Sequence, residues 1–370
     1  MRLYTLFFTV YFLTVAIFAL KYRKVRANKD STIIFVFLGL IYIFLVVFKP
    51  LDIIPDSSAY FDRYYYDYSF DKIIKSNLFN RNSKYHMSFL TSLFFWLGHS
   101  IGLTYYSFLF IVTSIQFMVV IKYSGKILDY MGINENVFVL LFLYLLQYGY
   151  PQQFITFAQS FAMCLGVPAV YFFLKNKKVL AYFLAFISVF FHSAGIANVL
   201  ILLVLNFSGN CRKLVYFVIW LFLFCIMLFG ISNVFLKKIS NLINFFGSTL
   251  EGSFSSYSEV KKADKMSLRS FLIGFEILIL IFVKKQNKTY YKFLNLLILV
   301  FAIYSIFSSV AVANRISDVF LFYSIFPIML FYQESISDFT GIKKSESYLM
   351  FLLVLIDFTH IFNVMNIFNI

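Results

Sequence analysis

The stretch Phe154–Gly195 reads FITFAQSFAMCLGVPAVYFFLKNKKVLAYFLAFISVFFHSAG. Two long uncharged runs flank a tight turn that carries Lys175, Lys177 and Lys178. At 1.5 Å per residue, roughly 20 apolar residues cross a hydrocarbon core of about 30 Å. The pattern therefore predicts a helical hairpin standing in a membrane, its basic turn on the cytoplasmic side. Gln159 and His192 then lie roughly 23 to 26 Å from that turn, at one height near the exported surface.

Outward from the hairpin the same grammar recurs. Apolar runs with few or no charges occupy 3–20, 31–48, 105–121, 137–150, 154–174, 179–193, 195–207, 214–235, 269–283, 290–309, 316–333 and 347–365. The fold class expected is all-α, a polytopic integral membrane protein of about twelve spans, with residues 1–370 forming a single membrane domain. Composition agrees: of 370 residues, 61% are hydrophobic and only 13% charged, and the mean hydropathy is +0.82. Soluble domains carry about 25% charged residues, so a soluble enzyme, a nucleic-acid binder and a disordered chain are all poor readings.

The net charge of +15 must then be explained by its placement. With the amino terminus outside, the inner connections are 21–30, 122–136, 175–178, 208–213, 284–292 and 334–346, and most Lys and Arg fall there. Most of the remainder collects in two long exported segments, where the charge rule does not apply. Only Arg2 and Arg315 are left on short outer connections. Counting the apolar stretch 86–98 as a span would put the basic turn outside. It is read instead as a re-entrant or interfacial helix within a first extracytoplasmic loop, 49–104, with a second loop at 236–269. The first apolar run precedes its positive charges, Lys21 to Lys29, whereas a cleavable signal has them before it, so it reads as a membrane helix. Cys164, Cys211 and Cys225 form no CxxC pair and have no histidine at zinc spacing, which indicates neither a disulfide framework nor a metal.

Ionisable groups inside spans are costly and mark function by default. His192 closes a helix at His192-Ser193-Ala194-Gly195 and is either a functional group or a histidine satisfied by that break. Gln159 is a substrate contact or interhelical glue. Arg315 and Asp318 share a helical face and read either as an ion pair or as an arginine presented to a phosphate, whose oxygens its planar fork matches. The loop from Pro55 interleaves Asp56, Asp62 and Asp67 with Tyr60, Tyr64, Tyr65 and Tyr66 around Arg63. Such a segment can bind sugar hydroxyls and supply a general base, or form an interfacial aromatic belt. Glu276 and Asp357 read either as marks of a proton path or as structurally paired charges, the commoner case.

In order along the chain stand Pro55-Asp56 followed by tyrosines after the second span, a polar opening to the helix of 154–174, Phe191-His192-Ser193 and Asn314-Arg315. Together these resemble the EpsG family, close in type to the Wzy polymerases of bacterial O antigen and capsule, over roughly residues 30–335. Where that family commonly has Arg-Gln, this chain has Ala158-Gln159, so a phosphate-binding arginine there is lost or replaced by Arg315 or Arg63.

The resemblance implies a membrane glycosyltransferase of GT-C-like type at the outer face of the inner membrane. It would move a growing glycan from an undecaprenyl-diphosphate carrier onto another undecaprenyl-diphosphate-linked oligosaccharide. By that reading His192, Asp56 and Arg315 are catalytic, and Arg63, Tyr60, Gln159 and Tyr64 bind substrate. The lipid carrier supplies activation, so no cofactor and no metal is expected, although Asp56, Asp62 and Asp67 leave a divalent ion open. The partners expected are the lipid-linked oligosaccharide and the bilayer, with a chain-length regulator left open and no nucleic acid. A lipid-linked oligosaccharide flippase, an O-antigen ligase and a membrane acyltransferase are the competing classes.

Overall fold

The computed structural model describes residues 2–21, 29–51, 55–65, 88–133, 137–155, 157–207, 209, 211–229, 268–283, 287–307 and 317–337. Among them every regular element is helical. Arg315, Asp67, most of the second loop at 236–269 and the expected span 347–365 lie outside the described residues. Three helices are long and apolar enough to cross a membrane by length and composition, Tyr105–Met131, Phe157–Leu174 and Lys288–Ile306, alongside seven shorter apolar helices. The described residues fall into two compact units, 2–199 and 200–337.

The first unit opens with α1 (Arg2–Lys21) and α2 (Lys29–Val47). A short helix α3 (Pro55–Tyr65) and a twelve-residue helix α4 (Phe89–Ser100) follow. Next come α5 (Tyr105–Met131), α6 (Val137–Tyr144) and a π-helical continuation, Leu145–Ile155. The hairpin α7 (Phe157–Leu174) and α8 (Lys178–Phe191) leads through a 3₁₀ turn (Ser193–Gly195) into α9 (Ile196–Phe207), whose residues from Leu200 onward belong to the second unit. Helix α6 carries no charge and is buried from Phe138 to Tyr144, as a helix apolar all round must be. Aromatic pairs tie it to α1, Phe12 to Phe142 at 5.1 Å and Phe18 to Phe138 at 5.5 Å.

The hairpin packs through small side chains. Ala181, Ala185 and Ser188 of α8 are each fully buried, a spacing that lets helix backbones approach closely without a hydrophobic driving force. Its turn is set by backbone geometry: Asn176 has φ of 60°, a conformation that asparagine tolerates better than most residues. The Lys177 amide then donates to the Phe172 carbonyl at 2.8 Å and the Asn176 amide to the Phe173 carbonyl at 3.0 Å, a Schellman closure. Gly132, with φ of 73°, ends α5 in the same way. That stop comes ten residues beyond the expected span end at 121, because Lys122 and Lys126 do not break a helix. Lys126 lies 5.0 Å over the Tyr123 ring and 5.4 Å over the Tyr171 ring, favourable cation–π contacts.

Two expectations change. The loop from Pro55 is helical as far as Tyr65: proline suits the first helical position, and an aspartate beside it suits the positive end of the helix dipole. The connection 151–153, expected on the outer surface, instead continues the helix as π turns, with Gln152 and Gln153 buried.

In the second unit α10 (Lys213–Leu228), α11 (Leu268–Ile281), α12 (Lys288–Phe307) and α13 (Ile325–Ser337) pack together. Gly274 lets the Phe301 ring approach to where a Cβ would sit 2.8 Å from it, and the Gly274 carbonyl accepts from Trp220 Nε1 at 2.7 Å. Tyr304 donates its hydroxyl to Asp318 Oδ1 at 2.8 Å.

Candidate functional site

Helix α4 is the post around which the predicted residues of the first unit gather. On one side it meets α3: the Tyr60 ring lies 6.2 Å and the Tyr64 ring 5.8 Å from Phe95. On another it holds the break after α8, where Thr91 Oγ1 donates to the Phe191 carbonyl at 2.7 Å and Phe94 packs against Phe191 at 5.3 Å. The start of α7 joins both: Phe157 is 6.1 Å from Tyr60, and Phe161 stacks on Phe191 at 5.4 Å. Tyr60, Gln159 and His192 thus belong to elements that converge on α4. Asp56 precedes Tyr60 by one turn on the backbone of α3, and its side chain lies outside the described residues.

Within α3 the tyrosines have different tasks. Tyr64 is 1% exposed and donates to the Leu103 carbonyl at 2.9 Å. Burial, with the neighbouring Tyr65 second, pushes its phenol up to about 12, so it stays a donor. Tyr65 accepts from the Tyr105 amide at 3.1 Å and anchors α3 to α5. Tyr60 and Arg63 are half-buried and Asp62 is exposed.

His192 leaves helical conformation, with φ of −160° and ψ of 143°. Its Nδ1 accepts from the Ala194 amide at 3.1 Å, so the neutral ring carries its proton on Nε2. The break is held from behind. The Ser188 hydroxyl donates to the Ala185 carbonyl at 2.6 Å and accepts from Asn198 Nδ2 at 2.9 Å. Asn198 Nδ2 also donates to the Ala162 carbonyl at 2.8 Å. Two glycines make this possible: a Cβ on Gly195 would sit 2.4 Å from the Ser188 carbonyl oxygen, and one on Gly166 2.2 Å from Asn198 Oδ1.

Below Gln159, itself buried, lies a polar network in the apolar interior. Tyr42 donates to Gln153 Oε1 at 3.0 Å and Tyr144 donates to the same oxygen. Gln153 Nε2 donates to Gln116 Oε1 at 2.9 Å, and Ser160 Oγ lies 3.0 Å from that acceptor. Tyr148 donates to the Ser160 carbonyl at 2.9 Å. Gly149 leaves room for the Tyr42 hydroxyl, which would lie 2.8 Å from a Cβ there. At the end of the π segment buried Lys49 donates to the Phe154 carbonyl and lies 5.1 Å over that ring. A cation there complements the negative end of a helix.

Sequence reasoning missed Lys49, Gln116, Gln153 and Asn198. The signal for the glutamines was present as Gln147, Gln152 and Gln153 in an otherwise apolar run, but Pro151 made it read as a loop. Ala158, at the position of the family arginine, is buried. Arg315 lies outside the described residues, and Asp318 has Tyr304 as a partner.

The EpsG family model matches residues 56–369, starting later and running further than the resemblance read from motifs. No curated protein and no solved structure matches the chain.

Proposed function

The chain belongs to the EpsG family, and on that premise we propose that it polymerises undecaprenyl-diphosphate-linked oligosaccharide repeat units into a surface polysaccharide at the outer face of the inner membrane. The observation that carries the reading is the gathering of α3, the start of α7 and the His192 break around α4, all within the matched residues. We read the whole chain as one membrane domain of about twelve spans, with this end of the first unit exported.

In the proposed reaction an acceptor sugar hydroxyl attacks the anomeric carbon of the donor glycan. A carbon–oxygen bond forms there, the bond to the lipid diphosphate breaks, and the hydroxyl proton passes to a base. Asp56 is assigned as that base in preference to His192, whose Nδ1 is committed to the Ala194 amide. His192 instead offers its Nε2 proton to a sugar or diphosphate oxygen. Charge on the departing diphosphate calls for a cation, since stabilising developing charge is usually the largest catalytic effect. Arg315 is assigned that role, with Arg63 second. Tyr60, Tyr64 and Gln159 are assigned to sugar binding, Tyr64 through its support of α3.

Alanine at His192, Asp56 or Arg315 is expected to leave single repeat units on the lipid core while the protein still inserts, read from glycan length on a gel. Normal chain lengths from all three variants remove the assignment. Loss of all surface glycan on deleting the protein indicates a flippase, and glycan retained on its carrier indicates a ligase.

A further inference from the structure

At the basic end of the first unit, Asn176, Lys177, Lys178, Val179, Leu180 and Phe183 line a groove of about 530 Å³. We propose that this groove binds one anionic phospholipid, its phosphate at Lys177 and Lys178 and one acyl chain along α8.

Three observations select that occupant. The first is charge complementarity: Lys177 and Lys178 line the groove, exposed Lys175 adjoins them, and no acidic side chain is among the lining residues. Basic groups at a membrane surface attract anionic headgroups, each contributing appreciably. Two of the three lysines are steadied over aromatic rings, Lys175 over Tyr130 at 5.0 Å and Lys178 over Phe173 at 5.7 Å, which limits the freedom lost when a phosphate is bound.

The second is the apolar path leading from the ammonium groups. Val179, Phe183, Phe186 and Phe190 are all exposed, Val179 at 88%, and their spacing puts them on one face of α8. The opposite face, at Ala181, Ala185 and Ser188, is the buried one. The third is length. From 179 to 190 the helix rises about 16 Å, close to the roughly 15 Å depth of one leaflet of hydrocarbon. A soluble phosphate compound would use the lysines and leave this stripe unaccounted for.

The test uses the full chain in neutral detergent, titrated with dioleoyl phosphatidylglycerol or dioleoyl phosphatidylcholine, with bound lipid counted by native mass spectrometry. Phosphatidylglycerol is expected to be retained at one site about tenfold more tightly than phosphatidylcholine. The double variant K177Q/K178Q is expected to erase the preference. K177R/K178R keeps it, which guards against a folding artefact, and Lys288→Gln in the other unit leaves it unchanged. Phe183→Ser is expected to weaken retention of both lipids. Equal retention of the two lipids by the unmodified protein, or an undiminished preference in K177Q/K178Q, overturns the proposal. Displacement of the lipid by soluble glycerol phosphate at equal concentration also overturns it, in favour of a free-phosphate site.

Discussion

At one end of the α7–α8 hairpin the chain reverses through Lys175, Asn176 and Lys177, every one exposed, with the helix carbonyls closed by backbone amides. At the other end the break at His192 is closed by side chains: Thr91 takes the Phe191 carbonyl, Ser188 and Asn198 brace the turn, and His192 caps Ala194. The first end stands in a polar medium and needs only local geometry. The second is braced by Thr91, Ser188 and Asn198, all buried, where an unpaired polar group costs far more. It therefore recruits partners distant in sequence, and its glycines are fixed by contact with neighbours, whereas Asn176 is fixed by its own φ of 60°.

If that contrast is right, substitutions at the buried end should cost much more than those at the basic turn. The largest loss is expected from Gly195→Ala, because its Cβ would meet backbone oxygen 2.4 Å away, which a flexible side chain cannot relieve. Destabilisation of about 3 kcal/mol is expected from such overpacking, seen as a lower midpoint of thermal aggregation in detergent together with loss of long glycans. Next is Gln153→Leu, which removes the acceptor shared by Tyr42 and Tyr144 and leaves buried phenols unsatisfied. A cost of about 2 kcal/mol is expected, read by the same midpoint. If Gln153→Leu matches the unmodified protein, the network is decoration and the contrast fails.

The hairpin was legible in the sequence because its physics is one-dimensional: two apolar runs around a basic turn determine two helices, and rise per residue determines how far Gln159 and His192 stand from that turn. What could not be read was rotation, since the face a helix presents depends on the small residues Ala181, Ala185 and Ser188 and on what they meet. The break at 192–195 was visible, but not that Thr91, a hundred residues away, would hold it. Helix α3 was read as a loop because its charges hid an ordinary helix start at Pro55-Asp56. The segment 151–153 was misplaced for a related reason: proline interrupts an α-helix, yet here the helix widens to π turns and continues. The buried network depends on that widening, and no periodicity in the sequence announces it.

Thr91→Val is a milder test of the same end. It keeps the shape and removes the hydrogen bond to the Phe191 carbonyl, for about 1 kcal/mol. Because α4 then loses its polar hold on the break, chain length is expected to shorten more than the stability loss alone explains. Valine that shortens glycans only in proportion to folded protein would make α4 a packing element and nothing more.

The smallest effect should come from the basic turn. Asn176→Gly relieves the left-handed conformation while giving the unfolded chain more freedom, and these terms oppose each other. The net change is expected within about 0.5 kcal/mol in either direction, and glycan length should not move. Asn176→Val is the sharper partner, since a β-branched residue at positive φ is a true outlier, and its cost is expected to exceed that of glycine by about 1 kcal/mol or more. A turn set by φ alone must separate these two variants, whereas one held by an Asn176 side-chain contact would be harmed by both. Comparing their thermal midpoints therefore decides whether the exposed end is as self-sufficient as its backbone hydrogen bonds imply.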